Sequence, residues 1–212
     1  MSLANEAYET LKQRIVSAQI VPGDVLSENE LAADLSMSRT PIRTALMRLE
    51  TEQFISIVKN RGIFVNNITF KEVTELNDII NSFIMHALSL VQRGTVKLRT
   101  DLLQSLFTQI ETAVQMKDYM SYMATYFEFI GEIIQTAKND TMSQMFLQVA
   151  EKIIWMSNVN HKLQSHVRHY TSYELAKKLL TLIEDGRYRD IQSVLTTHME
   201  NAKRRYLVLD EL

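Results

Sequence analysis

A chain of 212 residues with 46% hydrophobic and 23% charged side chains, but only 5 Gly and 2 Pro, has few of the turn formers that all-β folds use and reads as globular and mainly helical. The absence of cysteine excludes a disulfide framework, a thiolate metal site and a cysteine nucleophile. A formal net charge of −2 excludes a protein that holds polyanions by its overall field alone, because such proteins are strongly basic. The charge is nevertheless uneven: residues 38–62 hold Arg39, Arg43, Arg48, Lys59 and Arg61 against only Glu50 and Glu52. The opening segment is charged and amphipathic rather than signal-like, and no run approaches ~18 apolar residues, so the expectation is a soluble cytoplasmic protein with no membrane partner.

The first predicted element is a helix over about 5–17, where Tyr8, Leu11, Ile15 and Val16 recur at helical spacing. Pro22-Gly23-Asp24 breaks it. Ser27-Glu28-Asn29-Glu30 has the pattern of a capping box and opens a short helix carrying Leu31, Ala32 and Leu35. Ser36-Met37 interrupts, and Ser38 is placed to cap a third helix running to about Glu52, with Pro41 tolerated in its first turn. So tight a turn forces the two helices to cross steeply, burying Leu31 and Leu35 against Ile42, Ala45, Leu46 and Leu49. Ile55–Lys59 and Gly62–Asn66 then alternate as β-branched strands, and Asn60-Arg61-Gly62 supplies the turn of a hairpin wing. From Phe70 onward the period is helical throughout, over roughly 70–93, 97–115, 118–138, 141–159, 171–185 and 187–207. The predicted fold is therefore mainly α: a winged helix-turn-helix over 1–67, followed by an all-α helical bundle over 68–212.

Arg39 and Arg43 stand four residues apart on one face of the third helix, near its positive end, where two like charges repel and the macrodipole is unfavourable. A partner rich in negative charge or paired acceptors offsets that cost. Guanidinium forks match guanine O6 and N7, and the first half of a recognition helix is the part that meets base edges in the major groove. Ser38 and Thr40 add short hydroxyl groups suited to phosphate, and Asn60-Arg61-Gly62 can bring an arginine to a minor groove. The bland alternative is a solvated basic surface in which Arg48 only pairs with Glu52.

The run from Pro22 through Glu28, then Leu31-Ala32, Ser38-Arg39-Thr40-Pro41-Ile42-Arg43-Thr44-Ala45-Leu46, Leu49-Glu50 and Gly62-Ile63-Phe64-Val65, resembles the winged-helix domain of the GntR family of bacterial transcription regulators. The resemblance implies that Arg39 and Arg43 read operator bases. It also implies that Ser38, Thr40 and Arg48 touch mainly the backbone, and that Arg61 approaches the minor groove. Ser36 and Gln53 replace glycines common in the family, and both positions call for a left-handed backbone. Asn29 stands where some members carry a DNA-contacting arginine.

The second domain resembles, more weakly, the FCD effector domain of the FadR-like branch, on its length, on Asn139 and on Gly186 with His198. Many such domains hold a divalent metal through one Asp and three His. Here the corresponding positions are Tyr126, Ile130 and Ala176 (Leu175 with a one-residue slip), and only His198 remains, so neither a metal nor any other cofactor is expected. His161, His166 and His169 fall between predicted helices and read as a solvated loop. The expected effector pocket is apolar, lined by Ile80, Ile84, Tyr126, Ile130 and Trp155, with His198, Asn81 and Tyr173 adding polar groups. A site without metal or inward cation suits an effector of low acidity. The reading is a homodimeric, metabolite-responsive repressor of a pseudo-palindromic operator, and not an enzyme. Its rival is a ligand carrier or enzyme built on the bundle, with a winged helix that makes only protein contacts.

Overall fold

The computed structural model describes residues 2–163 and 170–209. The described residues separate into two compact units, 2–68 with 158–163 and 69–157 with 170–209.

The first unit opens on α1 (Leu3–Val16), which starts two residues earlier than the periodicity predicts because the Ser2 hydroxyl caps it, accepting from the Asn5 N–H at 3.3 Å. α2 (Glu28–Asp34) and α3 (Arg39–Thr51) form the helix-turn-helix. Ser36 takes φ 54° in the turn between them and Gln53 takes φ 64° after α3, the two positions where a left-handed backbone is expected. Between helices, the Met37 N–H returns to the Ala32 carbonyl at 2.9 Å, which keeps the turn tight. Ser27 accepts from the Glu30 N–H at 3.5 Å, giving half of the predicted box. Ser38 occupies the N-cap of α3 with extended backbone but makes no side-chain capping bond, so its hydroxyl is not consumed by the helix.

The wing is the predicted hairpin of β2 (Ile55–Val58) and β3 (Gly62–Val65), with Val58 opposite Gly62 and Ile55 opposite Val65. A two-residue strand, β1 (Val25–Leu26), pairs with the other edge of β3, giving the antiparallel order β1-β3-β2. It is too short to show a period in sequence. Gly62 has φ 118°, and a Cβ there would stand 3.3 Å from Val25 Cγ1, so β1 and the turn together select glycine.

The core of this unit is Tyr8, Leu11 and Ile15 from α1, Ile42, Ala45, Leu46 and Leu49 from α3, and Phe54, Ile55, Ile63 and Val65 from the sheet. Each large side chain so buried contributes about 1.5–3 kcal/mol of transfer free energy. Leu31 and Ala32 of α2 close one side.

Beyond the wing the chain forms the six predicted helices, all within the second unit but for the end of α7: α4 (Phe70–Gln92), α5 (Thr100–Met116), α6 (Tyr119–Gln135), α7 (Asp140–Leu163), α8 (Thr171–Glu184) and α9 (Ile191–Leu209). α7 runs four residues past its predicted end, and its residues from Asn158 cluster with the first unit. α9 begins four residues late because Tyr188–Asp190 form a 3-10 turn ahead of it. A complete capping box stands at Thr69 and Glu72, opening α4, where Ser27 makes only half of one. α6 is buried on nearly every side, from Tyr119 and Tyr122 through Phe129 to Ile133 and Ile134, as a bundle's central helix must be. Its Glu132 is 5% exposed and receives both arms of the Arg99 guanidinium, with Nε to Oε1 at 2.7 Å.

Candidate nucleic-acid interface

α3 divides its residues between two faces. Ile42, Ala45, Leu46 and Leu49 are buried against α1 and the sheet. Arg39, Thr40, Arg43, Thr44 and Met47 line an open groove on the other side. Pro41 sits in the first turn, where its missing N–H removes no helical bond, and so leaves Arg39 and Thr40 at the free N-terminal end. Each arginine side chain of the pair is 58% exposed, and Ser38 and Thr40 are exposed beside them.

The repulsion anticipated between Arg39 and Arg43 is relieved by a residue the sequence reading passed over. Glu28, the first residue of α2, accepts from Arg39 Nη2 at 2.9 Å and from Arg43 through Nε at 3.0 Å and Nη2 at 2.9 Å. The hydrogen bonds from Arg43 and then Arg39 hold the Glu28 carboxyl down at about 2, and the Arg43 guanidinium is correspondingly raised by its bond to Glu28. The signal available in sequence was weak: one acid at the start of α2, facing a pair of arginines at helical spacing across a tight turn.

Arg48 is elsewhere. Nine residues after Arg39, it lies on the far side of α3, donates to Asn5 Oδ1 at 2.9 Å and stacks its guanidinium 3.5 Å from the centre of the Tyr8 ring. It does not pair with Glu52 by a hydrogen bond. Glu52 instead accepts from the Tyr8 hydroxyl and pairs with Lys12 at 2.9 Å. Asn60 and Arg61 are exposed at the wing tip, Asn60 with φ 62° and Arg61 donating its N–H to the Val58 carbonyl at 2.9 Å. The end of α3 is tied to the wing by the Ile57 N–H, which donates to Glu50 Oε1 at 2.9 Å.

In the second unit, Ile80, Ile84, Tyr126, Ile130 and Trp155 are buried in the core, and Asn81 is half-buried. One of the proposed polar partners is engaged elsewhere. Tyr173 donates to Glu111 Oε1 at 3.0 Å and stacks on Phe107, facing α5. His198 borders a groove of about 500 Å3 between α8 and α9, with Tyr170, Glu174, Lys178 and Asn201. Ala176 and Leu175 are buried. His161 lies near the end of α7, while His166 and His169 lie outside the described residues. Among the described residues no three His, Cys, Asp or Glu side chains gather as a metal site, and no helix is long and apolar enough to cross a membrane.

Residues 3–65 match the family described as bacterial regulatory proteins, gntR family. The chain is 35% identical over 111 residues to the gluconate operon transcriptional repressor of Bacillus licheniformis, an alignment spanning 51% of this chain and 44% of that protein. It thus spans less than half the length of that relative. It is 26% identical over 212 residues to the HTH-type transcriptional repressor RspR of Escherichia coli, covering 92% of this chain and 85% of that one. Among solved structures, a putative transcriptional regulator GntR from Rhodococcus sp. RHA1 shares the fold at TM-score 0.81 and 18% identity, over 98% of both chains. The exposed N-terminal end of α3 and the hairpin wing both lie within the matched residues, so the likeness of this chain to the gntR family of bacterial regulatory proteins rests on its N-terminal unit.

Proposed function

We propose that the protein is a repressor that binds a pseudo-palindromic operator as a homodimer, with residues 1–67 reading DNA and residues 68–212 dimerising and binding an effector. The observation that carries this reading is the groove along α3, where Arg39 and Arg43 project from the N-terminal turns and Thr40 and Thr44 line the same groove. Forked donors at that end of a helix suit guanine in the major groove. Ser38, whose hydroxyl caps nothing in the helix, and Thr40 serve the phosphate backbone, and Asn60, Arg61 and Gly62 serve the minor-groove side. Arg48 acts through packing, because its guanidinium is engaged by Tyr8 and Asn5.

The second unit fits an FCD-type domain of the FadR-like branch in its six helices, and its buried Ile80, Ile84, Tyr126 and Ile130 suit an effector of low acidity. Repression is inferred from the related proteins, two of which are repressors by name.

The test is selection of duplexes from a random pool by the purified protein, followed by titration of the recovered operator. Arg39→Ala is expected to weaken operator binding by about 1–3 kcal/mol and to relax preference at one base position, whereas Arg61→Ala weakens binding to all sequences more evenly. An unchanged operator affinity for Arg39→Ala at matched salt overturns the assignment of α3 as the reading helix.

A further inference from the structure

Glu28 does more than relieve repulsion. Its side chain is 22% exposed, against 58% for each arginine, so the carboxylate lies beneath two guanidinium groups that reach outward past it. Arg43 spends its Nε and Nη2 edge on the two carboxylate oxygens, and Arg39 spends one Nη2 hydrogen. What remains for a base is a defined part of each fork: the Nη1 and outer Nη2 hydrogens of Arg43, and the Nε, Nη1 and second Nη2 hydrogens of Arg39. Two flexible side chains are thereby ordered before any ligand arrives, which lowers the entropy cost of forming bidentate bonds. The same contact leaves two cations sharing one anion, which weakens their pull on any phosphate.

We propose that Glu28 is the specificity-determining positioning residue of this interface: it aims Arg39 and Arg43 at base edges and suppresses their attraction to arbitrary DNA. The inference rests on the DNA-reading function proposed above and deepens it. Specificity is a difference between two affinities, and sequence-independent binding is chiefly electrostatic. Removing the carboxylate frees both side chains to rotate and restores their full charge. Binding to any duplex then rises while discrimination falls. A residue that only starts α2 would move both affinities in the same direction.

The experiment compares the full chain as wild type, Glu28→Gln and Glu28→Ala, each also in an Arg43→Ala background. Each protein is titrated by fluorescence anisotropy, at several salt concentrations, against a duplex selected by the wild type from a random pool and against a scrambled duplex of the same composition. Thermal melting of each variant is measured in parallel. Glu28→Gln is expected to bind the scrambled duplex roughly fivefold more tightly and to cut the operator-to-scrambled ratio by about tenfold. In the Arg43→Ala background most of that change disappears, because the two residues act through one contact. A wild type that discriminates, joined to an unchanged ratio in Glu28→Gln, overturns this inference alone. Parallel gains or parallel losses on both duplexes, with or without a lower Tm, also overturn it. A wild type that shows no preference between duplexes overturns the DNA-reading function and this inference with it.

Discussion

Tyr8 and Glu52 are 44 residues apart in sequence and meet where α1 packs on the end of α3. The Tyr8 hydroxyl reaches both carboxylate oxygens, at 2.7 and 2.8 Å, and itself accepts from Lys12 Nζ at 2.8 Å. Burial pushes the Glu52 carboxyl up, but the bonds from Tyr8 and Lys12 outweigh it and hold the group below the usual carboxylate range. The Tyr8 hydroxyl is raised by its burial. A carboxyl whose folded value is depressed adds stability that is complete above its ordinary value of 4.5 and is lost as the pH falls below it. Tyr8→Phe removes the central donor while keeping the ring under Arg48. It is expected to lower unfolding stability by about 1 kcal/mol, a modest figure because Glu52 is partly exposed. Urea titrations at several pH values check it: the difference from wild type should be full at pH 7 and should narrow below pH 4.5 as Glu52 protonates. A difference that stays constant down to pH 3 contradicts the assigned role of the carboxylate.

At the scale of elements, strongly periodic segments declared themselves and short or unusual ones did not. α3 was legible because Ile42, Ala45, Leu46 and Leu49 mark one face and Arg39 and Arg43 the other. The wing was legible because β-branched alternation brackets Asn60-Arg61-Gly62. β1 was not, since two residues carry no period and its pairing depends on β3, some 40 residues away in sequence. Glu28 was missed because its partners lie across a turn, and periodicity reports faces rather than which groups meet between elements. The polar partners proposed for the effector pocket depended on helix rotation within the bundle, which a repeating apolar pattern fixes only coarsely. Tyr173 thus faces Glu111 and Phe107. Gly131 is a second feature outside any pattern: a Cβ on it would lie 2.9 Å from Phe146 Cε1, and Phe146 is only 3% exposed. Alanine at that point gains about 1 kcal/mol of helix propensity, but the α6–α7 contact must open to admit the methyl group. Gly131→Ala is expected to be net destabilising by roughly 1–2 kcal/mol, read from denaturant midpoints, because overpacking a closed contact outweighs propensity. A more stable variant shows that the ring can move aside.

For the molecule as a whole, the net charge of −2 hides a division of labour. The basic residues of α3 and the wing are exposed, while the interior of the second unit gathers aliphatic and aromatic groups. A carboxylate entering such an interior must exchange its water for a cation, and without one the transfer costs several kcal/mol. Tyr126, Ile130 and Ala176, at positions where metal-binding FCD domains are expected to carry ligands, are all buried and supply neither a metal ligand set nor a cation. A resident divalent metal bound at 100 times its Kd contributes about 2.7 kcal/mol to folding, equivalent to several degrees in Tm for a protein of this size. Prolonged dialysis against EDTA is therefore expected to leave Tm within about 1 °C of the untreated protein, and added small dicarboxylates to give no saturable rise. Uncharged or acyl ligands are the class expected to raise it. Two results reverse this reading. A Tm that falls on chelation and returns with zinc, nickel or manganese requires a ligand set that includes His161 or His198. Saturable stabilisation by a dicarboxylate that is lost in Lys178→Ala or His198→Ala instead assigns anion binding to the groove between α8 and α9, where both residues lie.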